Sequence, residues 1–209
     1  MPASASLFTP RPAIKVKFRL FNSEASLMTI RSASLHWNGL AKFFHWSIVV
    51  LLLAQGIAAV LMDGFPREMR GTVMMLHKST GVLILLLAIA RLAWRLMSKA
   101  PPVLPEVSAA NRMLAQLGHV VLYVLLFAVP LSGFLMSAYG GRVTEFYGLF
   151  ALPNFVAAND AMSALMHQIH EPLFFALVLA AAGHAAAALY HHYIKRDATL
   201  IRMLPGNRT

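Results

Sequence analysis

Four long apolar runs, residues 46–62, 82–94 with its flanks, 118–138 and 172–190, restrict this chain more than any other feature. Crossing the hydrocarbon core of a bilayer takes roughly 20 residues of helix at about 1.5 Å each, and every run, extended by its less apolar flanks, reaches that length. Lipid offers the backbone no hydrogen-bond partners, so segments of this kind are helical. Composition excludes water as the main solvent: 58% of the 209 residues are hydrophobic and only 12% are charged, about half the charge of a soluble domain. The sequence therefore predicts an all-α membrane protein, a four-transmembrane-helix bundle occupying residues 33–209. The chain has no cysteine, which removes disulfides, iron–sulfur ligation, thiolate haem ligation and thiol catalysis. Redox chemistry in such a chain needs a bound cofactor.

A formal charge of +10 is compatible with nucleic acid or with an anionic lipid surface. The distribution of the cations decides for the membrane. Fourteen of the 18 basic residues precede the first run, lie in or near the connection between the second and third, or follow the fourth, whereas only Arg67, Arg70, Lys78 and Arg142 lie toward the other side. The positive-inside rule then puts both termini and the middle connection in the cytoplasm. No partnership with nucleic acid is expected.

The connections differ in character. Residues 98–111 contain Pro101, Pro102 and Pro105, which cannot continue a helix and read as an extended link. Residues 63–71 form a short polar turn, while 139–162 is longer, opens with Gly140 and Gly141, and carries an amphiphilic segment at 146–155, expected on the membrane interface with its aromatic side chains inserted. Residues 1–32 are rich in Ser, Pro, Lys and Arg, a composition that resembles a transit peptide. No apolar core or small-residue cleavage motif accompanies it, so the expectation is a disordered tail or a start assigned too early, with Met28 as the alternative.

Nine histidines occur, several of them in apolar runs, where a polar side chain is costly without a partner or a ligand to bind. His45 opens the first run and His77 the second, at the opposite face of the membrane, and His170 and His184 share the fourth. At about 100° per residue, the fourteen positions between His170 and His184 return to nearly one helix face, roughly 21 Å apart along the axis. Depth pairs His170 with His77 on the outer side and His184 with His45 on the inner side. Two stacked bis-histidine sites suit two b-type haems, each iron taking one imidazole from either face. Zinc or copper prefers three or four ligands converging at one point. The competing reading is that each histidine merely hydrogen-bonds a neighbouring helix.

Arg91 lies fourteen residues beyond His77, at the inner depth, where a buried cation needs an anion such as a haem propionate. Lys78 and Arg95 are read as rim residues that reach for water or mark the membrane boundary. His191 stays on the bundle face, seven residues past His184, and suits either a quinone carbonyl or an interfacial structural role. His167, three residues before His170 on a neighbouring face, is the rival ligand, and His119 is expected to anchor the start of the third helix. Pro130 is expected to bend that helix. Gly183 and Ala185 to Ala188 around His184 admit either a close helix or a flat macrocycle.

The motifs Phe44-His45-Trp46, His77 followed by Gly81, Arg91-Leu92, Leu117-Gly118-His119, Ile169-His170-Glu171 and Gly183-His184 through His191-His192-Tyr193, with the ending 195–205, resemble the bacterial cytochrome b561 family over about residues 33–205. The histidine-rich stretch of the fourth run is the specific part. The resemblance implies a multi-pass inner-membrane protein with two haem b groups, ligated at the positions matching His45, His77, His170 and His184. Some members are similar to superoxide oxidases, which pass an electron from superoxide at a periplasmic haem to ubiquinone near the cytoplasmic one.

Three functions follow as expectations. The first is transmembrane electron transfer by an oxidoreductase or electron carrier, from a periplasmic donor, superoxide or a redox protein, to membrane quinone. The second is a cytochrome b anchor subunit for a dehydrogenase, a hydrogenase or a cytochrome, with 139–162 as docking surface. The third is a haem-free proton or metal path through the histidines.

Overall fold

The structure, a computed structural model, describes residues 36–102, 104 and 107–206. The expected tail, residues 1–32, lies outside the described residues. Four helices carry the fold: α1 Gly39–Val60, α2 Arg67–Met97, α3 Ala109–Tyr139 and α4 Asp160–Tyr190. All four are long and apolar enough to cross a membrane. Local sequence sets their starts. Asn38 Oδ1 accepts from the Ala41 amide at 2.9 Å, Ser108 Oγ from Asn111 at 3.2 Å and Asn159 Oδ1 from Met162 at 3.0 Å, each taking up a helix-end donor that has no partner within the helix. Glu68 and Asp160 lie in first turns and Arg95 in a last turn, matching charge to the helix dipole.

Capping and charge carry the helices beyond their apolar cores. α2 begins fifteen residues before the apolar stretch at 82 and α4 twelve residues before the one at 172. His77 and His170 consequently lie well inside helices. His119 lies ten residues into α3, so it does not anchor the start of that helix.

Helices α1, α2, α3 and α4 pack in sequence, each on the next. Ile48, Ile84, Ala88 and Leu126 form the buried core where the first three meet, flanked by Leu51, Leu52, Leu87 and Phe127. The α1 and α4 backbones are not among the closely packed pairs, and Leu177 is the one buried side chain that α4 contributes. The α1 and α4 backbones thus leave a slot between them, which the Phe174 ring partly fills beside Gly56, and apolar side chains such as Leu53, Val124 and Leu179 are exposed.

The two ends of the bundle are tied differently. At the end where α1 begins and the described residues finish, Trp46 Nε1 donates to the Met203 carbonyl at 2.9 Å, Trp94 Nε1 to Asn38 Oδ1 at 3.0 Å, and Arg202 to the Pro102 carbonyl at 2.8 Å. At the other end, the segment expected to lie along the interface as an amphiphilic stretch begins as an antiparallel hairpin, β1 Glu145–Phe146 and β2 Phe150–Ala151. Its turn has Tyr147 at φ 52° and Gly148 at φ 71°, closed by Leu149 N–H to Phe146 C=O at 3.0 Å. This is the mirror-image turn that matches strand twist. Ser79 of α2, with no exposed surface, accepts from the Tyr147 amide at 2.9 Å and lies 2.8 Å from the Glu145 carbonyl. Thr80 Oγ1 meets the Tyr147 hydroxyl at 3.0 Å. The hairpin is thereby fastened two residues beyond His77.

Candidate functional site

Two histidine pairs face each other across the slot. At the hairpin end, the ring centres of His77 and His170 are 6.5 Å apart, and at the terminal end those of His45 and His184 are 6.4 Å apart. An imidazole nitrogen binds a transition metal at about 2.0–2.1 Å, and the ring centre lies about 1.1 Å behind it, so two rings sharing one iron stand roughly 6.3 Å apart. Both pairs have that spacing. The residues around them also fit a haem, since the small residues Gly183 and Ala187 beside His184 are exposed and Gly133 leaves room against His170.

The surroundings of His170 orient its ring. Its Nδ1 lies 3.0 Å from the Val129 carbonyl and 3.0 Å from Ser132 Oγ, and Ser132 itself donates to Val129 at 2.8 Å. A carbonyl only accepts, so Nδ1 carries the hydrogen and Nε2 keeps its lone pair for a metal. Gly133 makes room for this ring, because a Cβ there would stand 2.9 Å from His170 Cε1. Across the slot, the buried His77 Nδ1 has no hydrogen-bond partner among the described residues, and the His77 carbonyl accepts from Gln55 Nε2 at 2.8 Å.

The terminal-end pair has more company. His119 lies 5.2 Å from His184, short of the spacing of two imidazoles on opposite sides of one iron, so it stands beside the pair. Arg91 is within electrostatic reach of His45, His119 and His184, and its guanidinium donates to the Ala41 carbonyl at 3.2 Å. Among the described residues Arg91 meets no carboxylate, and its remaining donors suit an anion such as a propionate. No three of His, Cys, Asp or Glu converge as a metal cage among the described residues.

Beyond His184, α4 passes into a π-helical turn, His191–Lys195, and His191 lines a polar cleft of about 410 Å³ with Ser108, Asn111, Lys195, Arg196 and Asp197. His191 Nδ1 pairs with the Asp197 carboxylate. Burial alone would push that carboxyl up, but hydrogen bonds from His191 and Thr199 outweigh it and hold the group below the usual range.

The four histidines singled out by spacing come together in the expected pairs, with Arg91 beside one of them. His167 lies exposed on α4 and joins neither pair. The spacing arguments missed Gln55, Ser79, Ser132 and Asp197. Gln55 and Ser132 carried the same signal as the histidines, a polar group within an apolar run. Ser79 and Asp197 act through contacts distant in sequence or set by an irregular turn, which periodicity does not report.

A sequence profile described as prokaryotic cytochrome b561 matches residues 36–206. The chain is 35% identical over 169 residues to cytochrome b561 homolog 1 of Escherichia coli (strain K12), covering 79% of this chain and 95% of that one. It is 34% identical over 167 residues to cytochrome b561 homolog 2 of the same organism, covering 77% and 87%. A probable superoxide oxidase, CybB, from Yersinia pestis is 33% identical over 165 residues, covering 78% and 93%.

Proposed function

Because the chain belongs to the prokaryotic cytochrome b561 family, a multi-pass b-type cytochrome of the bacterial inner membrane that transfers electrons, we propose that it does so through two haems at two depths. The hairpin-end haem is held by His77 and His170, and the terminal-end haem by His45 and His184. The observation that carries this reading is the spacing of the two pairs, 6.5 and 6.4 Å, each suited to one iron. With fourteen of 18 basic residues on the terminal side, that end is cytoplasmic and the hairpin end periplasmic.

A haem held by each pair would supply a one-electron carrier at that depth. The chain's own residues do the rest. Val129 and Ser132 fix the tautomer and direction of His170, and Gln55 anchors the backbone of His77. Arg91 offsets propionate charge at the inner pair. The hairpin fastened by Ser79 covers the periplasmic end beside His77. Lys78 and Arg142, within electrostatic reach of each other, attract an anionic donor there, with Arg67 and Arg70 on the same side. Superoxide fits that charge and is in keeping with the likeness to the Yersinia protein named a probable superoxide oxidase. Ubiquinone, bound near His191, is the acceptor on the cytoplasmic side.

The purified protein is expected to carry two haems per chain, and His184→Ala to lose the inner one while retaining most of the outer. Haem-to-protein ratio and redox titration of the α band measure this. Full retention of both haems in the variant refutes the pairing. A protein inert toward superoxide that copurifies with a stoichiometric dehydrogenase or cytochrome would instead make it an anchor subunit.

A further inference from the structure

The cleft at the cytoplasmic end holds a group that the electron path does not use. α4 does not stop at Tyr190 but winds through the π turn His191–Lys195, a rare conformation often found at functional sites. Arg196 then takes a left-handed backbone at φ 57°, strained for a residue other than glycine. The outcome of this irregular path is that Asp197 turns back on the helix end. Its amide donates to the His191 carbonyl at 3.1 Å, its Oδ2 pairs with His191 Nδ1, and its Oδ1 accepts from the Thr199 amide at 2.8 Å. The Asp197 side chain is 8% exposed and that of His191 17%, on the wall of a cleft of about 410 Å³, within the size range of small-molecule sites.

A carboxylate only accepts, so the pair fixes hydrogen on His191 Nδ1 and leaves Nε2 as the atom that exchanges a proton. The charged groups around it are Lys195 and Arg196 from the same turn. Lys195 Nζ also lies 5.8 Å from the centre of the Tyr190 ring, which itself contacts His191. The described residues that the connection and α3 bring to the cleft, Leu104, Ser108 and Asn111, are uncharged. Asp197 is therefore the single anion among the described residues lining the cleft.

We infer that His191 is the proton donor to a quinone lodged in this cleft and that Asp197 is its positioning residue, holding the ring with hydrogen on Nδ1 and Nε2 toward the exchange. The inference rests on the reading of quinone as the acceptor. A quinone becomes a quinol by gaining two electrons and two protons. The electrons arrive singly through the b-type cytochrome. For each proton, the Nε2–H bond of His191 breaks as an O–H bond forms on a quinone oxygen, and His191 is recharged from cytoplasmic water.

The test uses the haem-loaded protein in nanodiscs, pre-reduced and mixed with decylubiquinone across a pH series. Reoxidation of the wild-type protein is expected to slow on an alkaline limb, where protons for the quinone become scarce. Asp197→Asn removes the anion and is expected to move that limb to lower pH. Asp197→Glu is expected to restore it. Nuclear magnetic resonance of the labelled His191 imidazole in the reduced protein, without quinone, is expected to show the same displacement. If Asp197→Asn fails to retain haem, His191→Gln decides, and it is expected to abolish the limb and slow reoxidation at least tenfold. A limb unmoved in Asp197→Asn, or retained in His191→Gln, overturns the inference while leaving quinone reduction standing. A wild-type protein that decylubiquinone does not reoxidise removes the acceptor reading and this inference with it.

Discussion

At Gly133 the absence of a side chain is what the neighbouring ring requires. A Cβ there would lie 2.9 Å from His170 Cε1 and 3.3 Å from its Nδ1, and the ring has little freedom to retreat because Nδ1 is tied to Val129 and Ser132. Gly133→Ala is therefore expected to displace the ring that holds the periplasmic haem while sparing the cytoplasmic one. Redox titration should show the α band losing amplitude, by up to half, or shifting in potential in one component only. Two unchanged components would separate Gly133 from the site. The residue scale is also where sequence reasoning reached furthest and stopped most sharply. Intramembrane histidines are costly enough to be conspicuous, and helical period and depth suffice to pair them. What orients them was not legible, since the partner of His170 is a backbone carbonyl on another helix and no residue type advertises a carbonyl. His119 shows the same limit, as its position beside His184 depends on where α3 begins.

The elements were legible by type and less so by extent. Apolar runs identify four helices, but α2 and α4 continue into polar sequence because Asn159, Asp160 and Glu68 make good first turns there. The hairpin was hidden for a different reason. Two-residue strands have no periodicity to detect, and Tyr147 occupies a left-handed position usually given to Asn, Asp or Gly. Its stability comes from α2, through a serine that reads in sequence as one more small helix residue. Ser79→Ala leaves the Tyr147 amide and the Glu145 carbonyl without their buried partner, at a cost of about 1–3 kcal/mol. The bundle helices should be unaffected, because apart from the hairpin the serine hydroxyl contacts only Met75, within the same helix. Hydrogen exchange of residues 145–151 is expected to accelerate in the variant, with exchange in α3 and α4 unchanged. Equal protection of the hairpin in both proteins would show that Thr80 and Tyr147 hold it alone.

For the whole molecule the deciding quantity is charge, which sets both orientation and the traffic of an anionic donor. The chain has no cysteine, so a single introduced thiol reports sidedness without background. Val143→Cys, exposed beside the hairpin, is expected to react with an impermeant thiol reagent on spheroplasts, and Ala100→Cys, exposed on the middle connection, only after lysis. The reverse pattern would invert the bundle and with it the assignment of donor and acceptor ends. With the expected orientation, Lys78 and Arg142 lie within electrostatic reach of each other at the periplasmic mouth, and because Asp63, Glu68, Glu145 and Asp160 oppose Arg67 and Arg70 on the same side, the attraction rests on that local pair. Their field reaches about 30 Å at 0.01 M salt but only about 10 Å at 0.1 M. A negatively charged donor guided by that field must therefore arrive more slowly as salt rises, whereas a neutral one is indifferent. Superoxide-driven reduction of quinone is expected to slow across this range. Arg142→Glu is expected to lower the rate at low salt and flatten its dependence, because one cation is lost and one anion gained at the same place. The haem spectrum provides the control, since Arg142 belongs to neither histidine pair. A rate independent of salt in both proteins would mean that electrons enter by contact with a docked partner and not by attraction of a small anion to the mouth.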